Sequence, residues 1–351
     1  MRMFQVCVCG EPLQLNEQPT PQPAGTEVLL KVLAAGVCHS DLHLADGYFD
    51  LGGGKRMSLA DRGMKLPVTL GHENVGEVVA VGPDAKGIKV GDRRLADPWI
   101  GCGTCAPCRR GEDFLCRAMR SLGVFSNGGY ADYLIVPHPR YLFDIGDLPP
   151  ERAAPLACSG ITTYSALKKV PTLKREPTVI IGAGGLGLMC LGLHRKLGGH
   201  SAIVVDIDPV KRDAAKQAGA AVVIDGTASD ASQQIIDLTN GGAWAVIDLV
   251  GSSASARVGY DSLIKGGKYI IVGLYGGDLT VSLPPIPMRA LTIQGSYLGS
   301  LAEMAELMEL VRRTGLPDVP VATRPLKDVN AAMDQLRAGK IVGRVVLTPA
   351  S

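Results

Sequence analysis

Four cysteines lie close together in the stretch GCGTCAPCRRGEDFLC at residues 101–116. Their spacing is C-x2-C-x2-C-x7-C, and the residues are Cys102, Cys105, Cys108 and Cys116. Four thiolates complete a tetrahedral zinc shell and leave no open position for water or substrate. A zinc ribbon that binds nucleic acid is the competing interpretation, but it usually carries two separated C-x2-C pairs and a basic face. The spacing therefore predicts a structural zinc site in a lobe at residues 97–117.

Three other fragments carry residues that could bind a second zinc ion. AAGVCHSDLH contains Cys38, TLGHENVGE contains His72, and APLACSGITTY contains Cys158. Two sulfur ligands and one nitrogen ligand would leave a fourth position open, as a catalytic zinc requires. Spacing alone does not join these residues, because a single Cys or His is more often a packed core residue.

A glycine-rich turn lies between an apolar segment, TVII, and a segment of helical character, GGLGLMCLGLHRKLG. Its G-x-G-x-x-G spacing permits a tight turn, close approach of a pyrophosphate, and close packing of the helix on the strand. Asp206 follows at the end of the next predicted strand, where its carboxylate can accept both ribose hydroxyls. The predicted dinucleotide turn comprises Gly182, Gly184, Gly185, Leu186 and Gly187.

The residues around Asp206 also indicate which dinucleotide binds. A carboxylate at this position would repel the 2′-phosphate of NADP, and no Arg directly follows it. Lys211 and Arg212 come about one helical turn later, which leaves some tolerance of NADP. We expect NAD(H) to be preferred over NADP(H).

Two kinds of segment along the 351 residues predict two domains. Residues 1 to about 150 are rich in Gly and Pro and contain short β-branched runs such as EVLLKVLAAGV, typical of a β-rich, partly open barrel. From residue 153 to 290 strands and helices alternate, as in a doubly wound parallel sheet. The tail ends in a strand, GRVVLTP, and is expected to return to the first domain. We therefore predict an α/β protein with domains at 1–152 plus 291–351 and at 153–290.

Composition and charge argue against several classes of partner. The net charge is +2 and the basic residues form no block, which disfavours nucleic acid and anionic membranes. No apolar run approaches the ~20 residues that span a bilayer, and the N-terminus lacks a signal-peptide pattern. A cytoplasmic protein is expected, so the nine cysteines are better explained as metal ligands or buried thiols than as disulfides.

Taken together, these fragments resemble the zinc-dependent medium-chain alcohol dehydrogenases over essentially the whole chain. The matching motifs are VCHSDLH, Gly71-His72-Glu73 with Gly76, the four-cysteine lobe, GAGGLG with Asp206, and the terminal GRVVL. The likeness is greatest to the tetrameric archaeal and bacterial NAD-dependent enzymes. It implies a Rossmann domain beside a GroES-like catalytic domain, two zinc ions per subunit and a homotetramer. It also implies reversible hydride transfer between a small alcohol and NAD, giving an aldehyde or ketone.

The resemblance also implies roles for individual residues. The positions that match catalytic zinc ligands are Cys38, His72 and Cys158. Glu73 matches an acid near that zinc, and Asp41 matches a carboxylate that orients the zinc-bound imidazole. Ser40 and His43 match a proton relay. Besides the glycine-rich turn and Asp206, the positions that match cofactor contacts are His39, Thr162, Lys211, Val250, Val272 and Arg344.

Two positions and one loop bear on the substrate. Trp99 matches an aromatic wall of the substrate pocket, and Ser121 occupies a place where the nearest relatives carry a bulky aromatic residue. We therefore expect a wide pocket that accepts aromatic or branched alcohols. The polar, Gly-containing connection at residues 50–66 is longer than in the yeast-type relatives and predicts a mobile flap near the substrate entrance.

Two other functions share parts of this pattern. A polyol dehydrogenase has the same fold and metal, but many such enzymes lack the full four-cysteine lobe and use a Glu among the catalytic ligands. An NADPH quinone reductase or a non-catalytic dinucleotide sensor shares the fold but has no use for Cys38, His72 and Cys158 together. Zinc content, and a comparison of polyols with benzyl alcohol, would distinguish these alternatives.

Overall fold

The structure is a computed structural model that describes residues 1–349. Within that range the strands are β1 (Arg2–Val6), β2 (Gln14–Glu17), β3 (Val28–Val37), β4 (Tyr48–Asp50), β5 (Arg56–Ser58), β6 (Val68–Thr69), β7 (Glu73–Val81), β8 (Arg93–Ala96), β9 (Tyr133–Val136), β10 (Leu142–Asp144), β11 (Thr178–Ile181), β12 (Ala202–Asp206), β13 (Val222–Asp225), β14 (Ala243–Asp248), β15 (Leu263–Ile271), β16 (Thr292–Gly295), β17 (Val321–Pro325) and β18 (Arg344–Thr348). The α-helices are α1 (His39–Asp46), α2 (Ala106–Arg109), α3 (Pro150–Ala153), α4 (Ser159–Lys168), α5 (Gly185–Lys196), α6 (Pro209–Gln217), α7 (Ala231–Leu238), α8 (Ser253–Asp261), α9 (Pro285–Met288), α10 (Leu301–Thr314) and α11 (Val329–Arg337). None of these helices is both long and apolar enough to cross a membrane.

A seven-stranded sheet organises the first unit. Its strands run in the order β10-β8-β7-β3-β18-β17, and β9 also pairs with β3. Strand β3 is buried along most of its length because β7, β9 and β18 all pair with it. Its sequence, VLLKVLAAGV, is therefore a nearly continuous apolar run rather than a strict alternation. The strands predicted from EVLLKVLAAGV and GRVVLTP are confirmed.

A six-stranded parallel sheet organises the second unit. Its order is β13-β12-β11-β14-β15-β16, which is the doubly wound arrangement of a Rossmann domain. The central strand β11, TVII, is fully buried, as expected of a parallel strand covered on both faces. The predicted α/β fold with a Rossmann sheet is confirmed.

The second unit extends beyond residue 290, where the sequence analysis placed its end. Strand β16 pairs in parallel with β15, from Lys268↔Thr292 to Ile271↔Gly295. Helix α10 shares a buried cluster with α4 through Met304 and Ile161. We therefore propose a second unit at about 153–314 in place of 153–290. Strand β16 escaped notice because TIQG is short and largely exposed, so it lacks an apolar signal.

One buried apolar cluster runs from the first sheet into the second. It contains Val75 and Leu95 from the first sheet and Ile180 and Ile247 from the second. Cys158 belongs to the same cluster. The junction between the two units is therefore a packed interior, and the segment that carries Cys158 lies within it.

A buried histidine in α5 makes stability depend on pH. His194 is 1% exposed, and its Nε2 has no hydrogen-bond partner among the described residues. Burial lowers the pKa of His194 from 6.5 to about 4, and His200 adds to that lowering. Below pH 6.5 the unfolded chain therefore binds more protons than the folded one. The contribution of His194 to stability is therefore fully present above about pH 6.5 and is lost as the pH falls towards 4.

We expect the free energy of unfolding to fall between about pH 7.5 and pH 5, and to fall by about 2 kcal/mol more in the wild type than in His194→Gln. Urea titrations at both pH values measure the difference. His200→Gln is the control, because His200 is exposed and bonds Ser201 instead of lying in the core. The control should show most of the wild-type loss, because burial and not His200 is the main cause of the lowered pKa. Equal losses in wild type and His194→Gln would refute this assignment.

Candidate active site and metal centres

Three segments distant in sequence bring Cys38, His72 and Cys158 together. Cys38 caps the start of α1, His72 immediately precedes β7, and Cys158 immediately precedes α4. Their ligand atoms all lie within 4.8 Å of one another, and the two sulfurs are 4.0 Å apart. The structure therefore joins residues that spacing alone could not join.

The orientation of His72 is set by a buried carboxylate. Asp41 Oδ1 lies 3.1 Å from His72 Nδ1, and both side chains are completely buried. Because an ionised carboxylate only accepts hydrogen bonds, Nδ1 carries the proton and Nε2 has a free lone pair. That Nε2 is buried without a partner among the described residues. Burial alone would lower the pKa of His72, but Asp41 and Cys38 raise it well above its ordinary value. The surroundings therefore favour a cation at Nε2, which is a proton when no metal is bound and would be replaced there by a zinc ion.

The two cysteines behave as a pair that a cation would complete. Their mutual hydrogen bond is the largest influence on both groups, lowering the pKa of Cys38 and raising that of Cys158. One thiolate therefore forms readily while the second retains a proton. A divalent cation would displace that proton, and a set of two sulfurs and one imidazole nitrogen suits zinc. The residues present therefore fit a zinc ion.

A buried ion pair connects this cluster to the dinucleotide turn. Arg344 Nη2 donates to Glu73 Oε2, and Ser159 N donates to Glu73 Oε1 over 3.3 Å. Burial raises the pKa of Glu73 to about 7, although Arg344 opposes the rise. A Cβ added to Gly185 would lie 2.5 Å from Arg344 Cδ. Arg344 therefore lies between the metal-ligand cluster and the glycine-rich turn.

The glycine-rich turn has the backbone geometry that its sequence predicts. Gly182 has φ +98°, which only glycine adopts readily, and a Cβ on Gly187 would lie 1.9 Å from Gly182 O. Gly184 precedes the first turn of α5, which also contains Leu186. Asp206 ends β12, where its Oδ2 accepts from Ala183 N over 2.7 Å. The acid and the turn are thus in direct contact.

The residues that follow strands β14 and β15 lie at the same end of the parallel sheet as the glycine-rich turn. Val250 follows β14, and its Cγ2 lies 2.9 Å from where a Cβ of Gly182 would be, while Val272 follows β15. Asp248 was missed by the sequence analysis. It is fully buried, and its Oδ1 accepts from Val250 N over 2.8 Å and from Gly251 N over 3.0 Å. Its role could have been predicted from its position, because Asp248 ends a predicted parallel strand just as Asp206 does.

Helix α1 presents the predicted relay residues. Ser40 and His43 are three residues apart and therefore share one face of the helix. The His39 and His43 ring centroids are 6.1 Å apart. Burial lowers the pKa of both rings. The neighbouring His39 lowers the pKa of His43 further, and Lys211 lowers the pKa of His39 further. The structure shows no hydrogen bond between Ser40 and His43, and the relay remains a prediction.

The hairpin formed by β4 and β5 occupies most of the predicted flap. Phe49 stacks on His43 with ring centroids 4.8 Å apart. At the hairpin tip, a Cβ on Gly52 would lie 2.7 Å from Gly277 O. The hairpin therefore spans from the relay helix to a loop of the second unit, and its mobility remains a prediction.

The remaining predicted positions differ in how closely they approach the metal ligands. The Trp99 ring lies 5.6 Å from the His72 ring, and Trp99 Nε1 donates to Ala157 O over 3.1 Å. Thr162 is one turn beyond Cys158, with a buried Oγ1 that has no partner among the described residues. Ser121 is buried in a turn where its carbonyl accepts from Phe125 N over 2.9 Å. Its contact with substrate remains a prediction.

The four cysteines of the lobe also converge. Their sulfurs all lie within 4.8 Å of one another, and backbone amides of Cys102 and Ala118 both donate to Cys116 Sγ over 3.3 Å. Hydrogen bonds from Thr104 lower the pKa of Cys102 to about 5. Burial and the other cysteines raise that of Cys108 to about 12. Four thiolates therefore need a cation to coexist here, and the set fits a closed tetrahedral zinc.

Taken together, the Rossmann sheet, the glycine-rich turn and the open two-sulfur, one-nitrogen cluster define a zinc-binding dehydrogenase. Comparison with protein families agrees with this class. Residues 24–147 match the alcohol dehydrogenase GroES-like domain, and residues 185–313 match the zinc-binding dehydrogenase domain. The chain belongs to the zinc-dependent medium-chain alcohol dehydrogenase family.

Individual relatives cover nearly the whole chain. An NAD-dependent alcohol dehydrogenase of Sulfurisphaera tokodaii is 40% identical over 99% of this chain and 100% of its own length. The crystal structure of an alcohol dehydrogenase from Aeropyrum pernix superimposes with a TM-score of 0.90 at 32% identity, covering 99% of this chain and 100% of that one. An acetophenone reductase from Geotrichum candidum, in complex with NAD, has a TM-score of 0.83 at 30% identity, with 99% and 97% coverage.

Replacing Cys108 by Ser should remove one zinc ion per chain and leave the other in place. A neutral hydroxyl is a poorer zinc ligand than a thiolate, and the two clusters share no residue. Metal analysis of the purified variant measures the stoichiometry. Cys190→Ala is the matched control, because Cys190 is also buried but lies in the apolar core. A Cys108→Ser variant that keeps two zinc ions would contradict the closed site.

Proposed function

We propose that this protein is a zinc-dependent alcohol dehydrogenase that transfers hydride reversibly between a primary or secondary alcohol and NAD. The observation that carries the proposal is the convergence of Cys38, His72 and Cys158 beside the dinucleotide turn, with His72 Nε2 buried and unpartnered among the described residues. A quinone reductase or dinucleotide sensor would have no need for that set. The family membership supports the same reaction.

The chain's own side chains prepare the reaction. Cys38, His72 and Cys158 would hold the catalytic zinc, which when bound supplies a Lewis acid that polarises the alcohol or carbonyl oxygen, while NAD supplies the hydride acceptor. Asp41 holds the His72 ring with Nε2 facing the two sulfurs. The buried position of Cys158 excludes bulk water from that side.

The proton of the alcohol leaves through helix α1. Ser40 would accept it, and His43, one turn along, would carry it towards solvent. The lowered pKa of His43 keeps its imidazole neutral at neutral pH, so the ring is ready to accept a proton. In the reverse direction the same groups would supply a proton to the carbonyl oxygen.

Residues around the turn would orient the cofactor. Arg344 is fixed by Glu73 at the start of α5, where its charge and the helix N-terminus both favour a pyrophosphate. The unpartnered Thr162 Oγ1 is available to the nicotinamide. We propose a preference for NAD because Asp206 ends β12 and Arg212 is occupied by Asp225 over 3.1 Å. The ratio of kcat/KM for NAD and NADP tests that preference.

Three further properties belong to the proposal. We propose two zinc ions per subunit, one in each cysteine cluster. We propose a homotetramer, which the resemblance to the tetrameric enzymes of this family implies. The edge strand β16 would be available for pairing between subunits, since Ile293 is 40% exposed; sedimentation tests it. We propose a cytoplasmic location, which cell fractionation tests. All nine cysteines are free, and the six that belong to the two metal-ligand clusters must stay reduced to bind metal.

Removing the more weakly held zinc should abolish NADH formation from benzyl alcohol and NAD, by at least about 100-fold, because the Lewis acid contributes several kcal/mol. Adding zinc back should restore activity. Absorbance at the NADH band measures the rate, and metal analysis counts the ions. Cys38→Ser should show the same loss, and Cys190→Ala should not. Activity indifferent to zinc would instead favour a zinc-free reductase, and faster turnover of ribitol or sorbitol would favour a polyol dehydrogenase.

Ser121→Trp should lower kcat/KM for benzyl alcohol by about 10-fold or more and leave ethanol within about twofold. The reason is steric: we propose that the small Ser121 widens the pocket for aromatic or branched alcohols, and lost pocket contacts are worth about 1–3 kcal/mol. Steady-state kinetics with both alcohols measure the change. Ser126→Trp is the control, since Ser126 ends the same turn but its side chain bonds Arg120 O. Equal loss of both alcohols in Ser121→Trp would argue against a pocket role.

A further inference from the structure

Asp41 is a fully buried carboxylate that is held by four donors. Its Oδ1 faces His72 Nδ1 at 3.1 Å and Gly71 N at 3.4 Å. Its Oδ2 accepts from Cys38 N at 2.9 Å and from the hydroxyl of Tyr130 at 2.8 Å. A buried charge needs such donors to remain ionised. Three of the four come from a metal ligand or its chain neighbour, and the fourth is the phenol.

Tyr130 is fixed on all sides. It is fully buried, its N donates to Leu70 O over 3.0 Å, and its carbonyl accepts from Phe4 N over 2.8 Å. A Cβ added to Gly71 would lie 2.5 Å from the Tyr130 ring. The ring therefore cannot swing away, and its hydroxyl has a fixed direction relative to the segment that carries His72.

The Tyr130 hydroxyl donates its hydrogen bond to Asp41. Among residues 1–349 the one other acceptor of this hydroxyl is Gly36 O at 3.4 Å, a longer and weaker contact than the 2.8 Å bond to Oδ2. Burial and the Asp41 charge both raise the pKa of Tyr130 well above its ordinary value, so the phenol stays neutral and acts as a donor. The bond is therefore charge-assisted.

We propose that Tyr130 is a positioning residue that locks the Asp41 carboxylate and, through it, aims His72 Nε2 at the metal. The proposal rests on the catalytic zinc proposed for Cys38, His72 and Cys158. Without the phenol, Oδ2 keeps only the Cys38 amide, and the carboxylate gains freedom to rotate away from the imidazole. Outer partners of metal ligands are known to govern metal affinity, and Tyr130 would be one bond further out than Asp41.

The test is Tyr130→Phe, which keeps the ring volume and removes only the hydroxyl. We expect the more weakly held zinc to leave about 3- to 10-fold faster in a chelator time course, less than the 10- to 100-fold typical of a direct partner. With cobalt in place of that zinc, the d–d bands should shift. The tightly held zinc should leave at the wild-type rate.

Tyr269→Phe is the matched control. Tyr269 is also fully buried, and its hydroxyl donates to Asp248 Oδ2 over 2.7 Å, in the second unit and away from both metal clusters. It removes the same kind of bond, so any general loss of stability should be similar. Its zinc release and cobalt bands should match the wild type.

A double-mutant cycle covers the case in which Tyr130→Phe folds poorly. In an Asp41→Asn background, Tyr130→Phe should change zinc release by less than about twofold, because the carboxylate through which it acts is gone. Wild-type zinc release and bands in Tyr130→Phe, or the same acceleration in Tyr269→Phe or in the Asp41→Asn background, would overturn the proposal. A wild type with only one zinc per chain would instead overturn the proposed catalytic site on which it rests.

Discussion

The buried ion pair between Arg344 and Glu73 connects every part of the site. Arg344 begins the last strand of the chain, Glu73 begins β7 next to a metal ligand, and the pair lies against the glycine-rich turn at Gly185. Breaking such a pair by removing one partner costs about 3–5 kcal/mol, because an uncompensated charge stays buried. The pair therefore specifies one relative placement of the metal cluster, the C-terminal strand and the dinucleotide turn.

Close backbone approach makes that placement possible. A Cβ on Gly36 would lie 2.1 Å from Glu73 Oε2, and one on Gly185 would lie 2.4 Å from Gly343 O. Both glycines are required by contacts with segments far along the chain, whereas Gly182 is required by its own positive φ. The glycine richness of the sequence thus has two physical causes, local turns and packing across the site.

Carboxylates serve as fixed acceptors around the metal cluster and the dinucleotide turn, and those of Asp41 and Asp248 are buried. Asp41 orients the imidazole, Asp206 holds the amide after Gly182, and Asp248 holds the turn after β14. Each accepts hydrogen bonds from two or more donors, which hold its oxygens in place. Rigid placement of reacting groups is the main contribution a protein makes when a metal and a cofactor supply the chemistry.

The fold class, the dinucleotide turn and the four-cysteine lobe could be predicted from the sequence, because their signals are periodic or lie within a few residues of one another. The strand β16 beyond residue 290 was not predicted, since a short exposed edge strand carries no apolar pattern. The grouping of Cys38 with Cys158 followed only from family resemblance, and the contacts of Asp248 and Tyr130 were not predicted at all. These contacts join residues that are 21 to 120 positions apart. They arise from the folded arrangement of the chain, because hydrogen bonds and metal geometry depend on distances that no local pattern encodes.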